Sequence, residues 1–258
     1  MTDLPTVALI GVGTMGEALL AGALDGGLLP KTLRVQARRR ERADELAGRY
    51  GVQATTDIAE AVSGAQLVVL AVIPQAVPEV LGEIADHLDE GAVLACIAYG
   101  VSLADLQAGL PDHRAVARAM PSLASQVGDG ITLLTCADEC TEEQIETVTG
   151  FFGRSGTVLR LSEQEQTVLE PLSGGGPAYF FYLAAAMVDA GVGRGIPRPE
   201  ARRLVADALT GAADWMAASD EEPAALIAKV CTPGGPGARR MAVLDERGVP
   251  AAVKTALA

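Results

Sequence analysis

Apolar residues follow two different rhythms along this chain. Over the first 160 residues, short apolar runs alternate with stretches of helical spacing, whereas only helical spacing remains after about Leu161. The runs that predict strands are 6–12, 33–37, 65–72, 92–98, 115–121, 130–136 and 156–161. The stretches that predict helices between them are 15–26, 39–50, 57–63, 75–88, 102–109 and 141–152. The change of rhythm predicts two domains, at residues 1–160 and 161–258.

The first domain is predicted to hold a parallel, doubly wound sheet. Its runs at 65–72 and 92–98 are apolar throughout, as in strands that are buried on both faces. Strands that alternate with helices favour parallel pairing with right-handed crossovers. The later segments with helical spacing are 162–172, 177–191, 197–218, 222–230, 236–246 and 249–257. They predict an all-helical second domain, so the fold class is α/β with an all-α domain after it.

One segment of the second domain is apolar nearly all round its helix. The stretch 177–191 reads "PAYFFYLAAAMVDAG" and offers no polar face to solvent. Such a helix is either deeply buried or shared with a partner chain. A helical domain of this size is too small to cover it alone, and we therefore predict a homodimer built on this domain.

Composition and charge exclude several classes of partner. The formal net charge is −13 and aromatic residues make up 3% of the chain, so neither a phosphate backbone nor base stacking is favoured and no nucleic-acid partner is expected. No uninterrupted apolar stretch reaches the roughly 18 residues of a membrane span, so no membrane partner is expected. The segment before the first strand does not resemble a signal peptide, and we predict a cytoplasmic protein.

The cysteines and histidines do not predict a metal site. Cys136 and Cys140 form a C-x3-C pair, but His87 and His113 lie elsewhere without the spacing of metal ligands. Thiols in a reducing cytoplasm account for the cysteines better.

A glycine-rich turn follows the first predicted strand. The sequence "GVGTMG" places Gly11, Gly13 and Gly16 between a strand and a helix, with Thr14 and Met15 at the start of that helix. In this setting the first glycine allows a tight turn, the second lets the backbone approach a pyrophosphate, and the third lets helix pack on strand. The segment predicts a dinucleotide cofactor, and a merely structural turn is the alternative.

Three arginines follow the second strand, where an enzyme that uses NAD commonly has an acidic residue. Arg38, Arg39 and Arg40 would attract a 2′-phosphate, which favours NADPH while NADH stays possible. The alternative is a solvated helix face on which Glu41 and Glu45 pair with the arginines.

Two more segments close predicted parallel strands, at the sheet edge where ligands bind. The segment "AVIPQ" contributes Ala71, Val72 and Pro74, and "AYGVS" contributes Ala98 and Gly100. We expect both segments to lie beside a bound ligand.

Two glycine- and proline-rich segments precede helices in the second half of the chain. They are "LSGGGPAYFF" at 172–181 and "CTPGGPG" at 231–237. Helix starts preceded by glycine expose amide donors that suit a carboxylate. The two segments predict an anion clamp, and two ordinary turns between helices are the alternative.

Taken in order, these motifs resemble the pyrroline-5-carboxylate reductase family. The resemblance covers GxGxxG-E at 11–17, "AVxPQ" at 71–75, "RxMP" at 118–121, "LSGxGPAY" at 172–179, "VCxPGG" at 230–235 and "VLDERG" at 243–248. It implies reduction of the cyclic imine pyrroline-5-carboxylate to proline by hydride transfer from NAD(P)H. It also implies a dimer interlocked through the helical domain, often assembled further into a decamer.

The resemblance also implies that the segments "AVxPQ" and "AYG" face the nicotinamide. It assigns the loops Ser173–Pro177 and Thr232–Gly235 to the substrate carboxylate, with the second loop coming from this chain or from the partner subunit. The residues it places there are Gly174, Gly175, Gly176, Pro177, Pro233, Gly234 and Gly235. No His, Cys or Lys in the motifs is needed as a general acid, because the proton can come from solvent. Ser173 and Thr232 are the hydroxyls best placed for the reaction.

The chain departs from the usual family pattern within these same segments. Gly175 stands where the family usually has Ser, Gly237 where it usually has a Thr thought to bind the imine nitrogen, and Ile73 where it usually has Lys. The family's "MPNTP" is "MPSLA" at 120–124. Two alternatives therefore stay open: a reductase of another small imine, and a catalytically weak paralogue that binds the cofactor.

Overall fold

The computed structural model describes residues 6–257, and the chain forms two compact units. The first unit ends at Pro177 and the second begins at Ala178. The sequence places its domain division at residues 160 and 161, where the last strand ends. The helix after that strand packs against the sheet, and it belongs to the first compact unit.

The first unit contains one sheet of eight strands in the order β3-β2-β1-β4-β5-β6-β7-β8. The strands are β1 (Val7–Ile10), β2 (Leu33–Gln36), β3 (Gln53–Thr55), β4 (Leu67–Leu70), β5 (Val93–Cys96), β6 (Val116–Pro121), β7 (Gly130–Cys136) and β8 (Gly156–Arg160). Seven of them match the predicted apolar runs. The exception is β3, whose three residues carry no apolar run that would predict a strand.

Parallel pairing holds throughout the sheet except between β6 and β7, where the prediction is wrong. Residues 122–129 join these two strands and contain only the short 3₁₀ turn Leu123–Val127. A parallel connection needs a crossover of about a dozen residues or more, so this short link permits only antiparallel pairing.

Seven helices belong with the sheet, as far as the described residues show. They are α1 (Thr14–Asp25), α2 (Arg40–Tyr50), α3 (Ile58–Val62), α4 (Val77–Ile84), α5 (Leu103–Gly109), α6 (Glu142–Phe152) and α7 (Glu163–Ser173). Ser102, Thr141 and Ser162 open three of them with capping boxes.

Helices cover both faces of the sheet, and a separate apolar core lies on each. Val7 and Leu9 join the core of one face, whereas their neighbour Ala8 joins the other, as the alternation of a strand requires. The first core takes side chains from α1, α2 and α6, and the second from α3, α4 and α5. The predicted doubly wound Rossmann-type arrangement is confirmed.

The helices of the second half match the predicted segments closely. They are α8 (Gly176–Val192), α9 (Arg198–Ala217), α10 (Pro223–Val230), α11 (Pro236–Glu246) and α12 (Val249–Ala256). Residues 178–257 contain no strand, and the predicted all-helical domain is confirmed. Within residues 6–257, none of the helices combines the length and apolarity that crossing a bilayer requires.

Candidate active site

The glycine-rich turn joins β1 to α1 at the carboxyl edge of the sheet. Gly11 has φ +79°, in the left-handed region, and a Cβ there would lie 2.3 Å from Val72 Cγ1. A Cβ on Gly16 would lie 3.1 Å from the Cβ of Ala71, so this glycine lets α1 pack closely on the end of β4. Around Gly13, by contrast, a Cβ would meet nothing within 4 Å. The backbone at Gly13 is therefore open to an approaching ligand.

The start of α1 offers amide donors to an anion. Gly13 is the N-cap residue and supplies no side-chain cap, so the first-turn amides are not bonded by a capping side chain. Free N–H groups and the helix dipole together favour a phosphate at such a position. The residues present thus fit the pyrophosphate of a dinucleotide.

A cavity of ≈ 1190 Å³ opens beside this turn, lined entirely by residues of the first unit. The predicted cofactor residues that line it are Gly11, Gly13, Thr14, Arg38, Arg39, Ala71 and Val72. The other predicted cofactor residues lie outside its lining: Met15, Gly16, Pro74, Ala98 and Gly100. Pro74 begins an exposed 3₁₀ turn, and Gly100 lies in the exposed loop after β5 with φ +75°.

The arginines after β2 differ in their partners. Arg40 pairs with Asp44 at 3.0 Å, and Glu45 pairs with Arg42 rather than with any of the three predicted arginines. Among residues 6–257, Arg38 and Arg39 form no ion pair, and both are exposed and line the cavity. Two uncompensated guanidinium groups therefore face the space in which a dinucleotide phosphate would lie.

A cluster around Glu17 forms another part of the cavity wall. We define the Glu17 cluster as Glu17, Arg42, Arg49 and Tyr50. Arg42 and Arg49 both pair with the Glu17 carboxylate, the latter at 2.7 Å, and the Tyr50 hydroxyl donates to it at 2.9 Å. The cluster ties the first turn of α1 to α2.

The ionisation of the Glu17 cluster follows from these contacts. The hydrogen bond from Arg42, followed by that from Tyr50, holds the Glu17 pKa below its ordinary value. Burial, reinforced by Glu17, raises the Tyr50 pKa. Hydrogen bonds to Glu45 and then to Glu17 raise the Arg42 pKa. Arg42 is thus held between two carboxylates, unlike Arg38 and Arg39.

Several residues of the cavity lining were not among the residues predicted from the sequence. Besides the Glu17 cluster, Gln126 and Val127 reach the cavity from the loop between β6 and β7. The spacing of Arg42, Arg49 and Tyr50 puts them on one face of α2, which is the signal the sequence offered. Their common partner, Glu17, lies 25 residues before Arg42, so no local pattern links them.

The first predicted substrate segment begins at the end of α7. Ser173 is buried, and its Oγ has no hydrogen-bond partner among the described residues. A Cβ on Gly174 would lie 2.5 Å from Met120 Cε, so this turn packs closely on the flexible end of a side chain of β6. Gly175 is half-buried, and Gly176 and Pro177 open α8. The segment thus combines an unpaired buried hydroxyl with a tight turn before a helix.

The second predicted substrate segment belongs to the second unit and joins α10 to α11. Thr232 and Pro233 are exposed, and the Gly235 amide donates to the Thr232 carbonyl at 2.9 Å. Gly234 has φ +69°, and Gly235 is the N-cap of α11 without a side-chain cap. This turn likewise presents a helix start whose amides are not bonded by a capping side chain.

Thiol chemistry has little support in this structure. Burial raises the pKa of Cys96 to about 11, so this thiol is protonated at neutral pH. Cys136 and Cys140 interact, which raises the pKa of the first and lowers that of the second. No cluster of three or more His, Cys, Asp or Glu side chains suited to a metal ion occurs within residues 6–257.

Comparison with known families covers both halves of the chain. Residues 163–258 match the family model described as pyrroline-5-carboxylate reductase dimerisation. Residues 6–99 match the model described as NADP oxidoreductase, coenzyme F420-dependent. The pyrroline-5-carboxylate reductase of Corynebacterium melassecola is 36% identical over 251 residues, which cover 95% of this chain and 92% of that protein.

Solved structures show the same relationship. A pyrroline-5-carboxylate reductase from Coxiella burnetii aligns with a TM-score of 0.88 at 27% identity, covering 99% of this chain and 95% of that one. The pyrroline carboxylate reductase of Plasmodium falciparum, solved with NADP bound, aligns with a TM-score of 0.91 at 21% identity, covering 100% and 95%. The latter likeness concerns the fold.

The resemblance predicted from the motifs is confirmed, and the relationship extends over nearly the full length of both proteins. The chain belongs to the pyrroline-5-carboxylate reductase family.

Proposed function

We propose that this protein reduces the C=N bond of pyrroline-5-carboxylate to give proline, with NADPH as the preferred cofactor. One observation carries the proposal. This chain is 36% identical to a pyrroline-5-carboxylate reductase over nearly its whole length, and it has an open glycine turn beside a cavity. Arg38 and Arg39 line that cavity without an ion-pair partner among the described residues. Family membership supports the reaction, and the cavity supports the cofactor.

On the cofactor side, the first-turn amides of α1 and the open backbone at Gly13 would hold the pyrophosphate. Arg38 and Arg39 would pair with a 2′-phosphate, which NADH lacks. Ala71 and Val72 line the same cavity at the end of β4, with Pro74, Ala98 and Gly100 in the loops beyond. When bound, the reduced nicotinamide supplies hydride to the imine carbon.

On the substrate side, each of the two glycine-rich turns offers backbone amides that suit a carboxylate. The buried, unpaired Ser173 hydroxyl supports this assignment, because a buried polar group without a partner requires an explanation and a role at the reaction site provides one. Thr232 supplies a hydroxyl at the second turn. Neither turn contains an acidic side chain, so the proton for the imine nitrogen would come from solvent.

The second unit supports a dimer. Phe180, Phe181 and Tyr182, consecutive residues of α8, are all more than half exposed in the single chain. Exposed apolar patches of this kind mark protein interfaces, and the matching family model describes a dimerisation segment. We therefore propose a homodimer through residues 161–258, with residues 1–160 as the cofactor domain. A decamer and a cytoplasmic location remain predictions from the resemblance and the sequence.

A second candidate is the reduction of another small cyclic imine. Gly175 and Gly237 lack the hydroxyls that the resemblance leads one to expect. A Cβ on Gly237 would lie 3.1 Å from Cys231 Sγ, so the start of α11 packs closely on this cysteine. This second function would use the same cofactor site and would differ only in the cyclic imine that is bound as substrate.

A turnover assay separates the two candidates. Purified protein is mixed with NADPH and with pyrroline-5-carboxylate or a panel of other cyclic imines, and loss of NADPH absorbance is followed. The proposal predicts the highest kcat/KM with pyrroline-5-carboxylate and proline as the product. A higher kcat/KM with another imine would establish the second candidate, and no turnover with any imine would contradict both.

A further inference from the structure

Arg118 is a buried cation that no role assigned above explains. It lies on β6 with only 8% of its side chain exposed, and it pairs with two glutamates of α7. Its Nη2 is 2.9 Å from Glu170 Oε1, and its Nη1 is 3.0 Å from Glu163 Oε1. We call these three residues the Arg118 cluster. Its Glu170 arm is the ion pair of Arg118 with Glu170, and its Glu163 arm is the ion pair of Arg118 with Glu163.

The Glu170 arm of the cluster leads to the first substrate turn. Arg118 and Met120 share one face of β6, while Glu170 and Gly174 lie four residues apart along the chain. Arg118 binds Glu170, and Met120 packs where a Cβ on Gly174 would be. The Gly174 amide also donates to the Glu170 carbonyl at 3.0 Å. Two contacts with one strand thus fix the end of α7, where Ser173 lies.

The Glu163 arm of the cluster leads to the predicted cofactor side. Glu163 Oε1, which binds Arg118, also accepts the amide of Leu103 at 2.9 Å. Leu103 is the first residue of α5, and the loop just before it contains Ala98 and Gly100. One guanidinium therefore links the loop after β5 to the turn after α7.

Further hydrogen bonds support the Glu170 arm. Gln166 Nε2 donates to Glu170 Oε1 at 3.3 Å, and Thr135 Oγ1 donates to Gln166 Oε1 at 2.6 Å. Replacing a buried ion pair with apolar residues is often neutral or stabilising, so stability alone does not account for such a pair. Fixed geometry accounts for it better, because Glu170 Oε1 is bonded by both Arg118 and Gln166.

We infer that Arg118, Glu163 and Glu170 are positioning residues that set the substrate turn at Ser173–Gly176 relative to the cofactor loop at 98–102. The inference rests on the proposed function and on the family resemblance, which implies that the substrate lies at this turn and that the AYG segment at 98–100 faces the nicotinamide. A misplacement of about 1 Å between reacting groups can lower the rate about a hundredfold, so a rigid link between the two segments has catalytic value.

Three single substitutions test the inference on the full-length protein. Glu170→Gln removes the negative charge of the Glu170 arm with little change in the shape of the side chain. Glu163→Ala removes the Glu163 arm. The Glu163 side chain is 38% exposed, so this substitution carries little risk to folding. Glu165→Gln is the matched control: it removes an exposed charge from the same helix, and glutamine still completes the capping box with Ser162.

The two arms should have separable kinetic effects. Glu170→Gln should raise the KM for pyrroline-5-carboxylate about tenfold while the KM for NADPH stays within about twofold, because only the substrate turn loosens. Glu163→Ala should mainly raise the KM for NADPH. Hydrogen–deuterium exchange without cofactor should show faster exchange at residues 173–176 in Glu170→Gln and no change in Glu165→Gln.

The inference is overturned if both cluster variants unfold at a lower temperature but keep the KM values and the exchange of the control. Should Glu170→Gln not fold at the assay temperature, an unchanged KM for NADPH in Glu163→Ala would overturn it alone. If the unsubstituted protein reduces no pyrroline-5-carboxylate, the proposed function fails instead. Exchange at residues 173–176 then still decides whether the cluster fixes the turn.

Discussion

Two clusters in the same compact unit are both built on ion pairs between arginine and glutamate, but they differ in how deeply the side chains are buried. In the Glu17 cluster, at the cavity wall, the side chains of Glu17 and Arg42 are 21% exposed, and that of Arg49 is 62% exposed. In the Arg118 cluster, Arg118 and Glu170 are almost completely buried. The first cluster ties α1 to α2, and the second ties α7 to β6.

Burial changes what each cluster does for the protein. Exposed ion pairs contribute about 0–1 kcal/mol, because water and salt screen them. Removing one partner of a buried pair costs about 3–5 kcal/mol, because the other charge is left without compensation. The pairs of the Glu17 cluster are partly exposed and should contribute between these two limits, whereas removing Arg118 or Glu170 would leave a buried charge without its partner.

The largest effect is expected from Glu170→Ala. It leaves the Arg118 guanidinium buried with only Glu163, and the free energy of unfolding should fall by about 3–5 kcal/mol. Urea unfolding at pH 7 measures this loss. The double variant Arg118→Met/Glu170→Leu, which removes both charges, should recover most of the stability. A loss under about 1 kcal/mol in the single variant would show that the pair is not buried in solution.

The next effect concerns the two arginines that the Glu17 cluster leaves uncompensated. Arg38→Ala/Arg39→Ala should weaken NADPH binding roughly tenfold or more, since a hydrogen bond to a charged group contributes about 1.5–3 kcal/mol. NADH binding should change little. Calorimetric titration with both cofactors measures the two dissociation constants. Equal weakening for both would show that the arginines do not face a 2′-phosphate.

A smaller effect is expected at the cavity wall itself. Glu17→Gln should lower stability by about 1 kcal/mol at pH 7. Because the folded protein lowers the Glu17 pKa, this contribution is present above the ordinary value of 4.5 and is lost as the pH falls through the folded pKa. The two proteins should therefore converge in urea unfolding below about pH 4.5. A constant difference down to pH 3 would exclude an electrostatic origin.

The smallest effect is expected from Arg40→Ala. Its pair with Asp44 is exposed on both sides and lies outside the cavity lining. Stability should change by less than about 0.5 kcal/mol, and the NADPH dissociation constant should stay the same. A marked loss of NADPH affinity would extend the phosphate site to the third arginine of the series.

Most of the fold could be predicted from the sequence, because continuous apolar runs identify buried strands and glycine marks the turns. Apolar runs alone do not distinguish the antiparallel step between β6 and β7, and the physical signal for it is the short link at 122–129 between these strands. Strand β3 could not be found from apolarity, since its residues are Gln53, Ala54 and Thr55.

The site was predictable where its chemistry is local and not where it depends on distant partners. Gly11, Gly13 and Gly16 form one motif, so their separate roles follow from spacing. Arg118 and Glu170 are 52 residues apart, and only packing brings them together. Burial of a charged pair is a property of the folded protein, and no pattern along the chain predicts it.

The most direct test of the proposed function follows one atom from cofactor to product. Protein is incubated with pyrroline-5-carboxylate and NADPH that carries deuterium at the transferable position of the nicotinamide ring, and the product is examined by mass spectrometry and NMR. We predict proline with one deuterium on the carbon that carried the C=N bond. Absence of proline, or proline without deuterium at that carbon, would contradict the account.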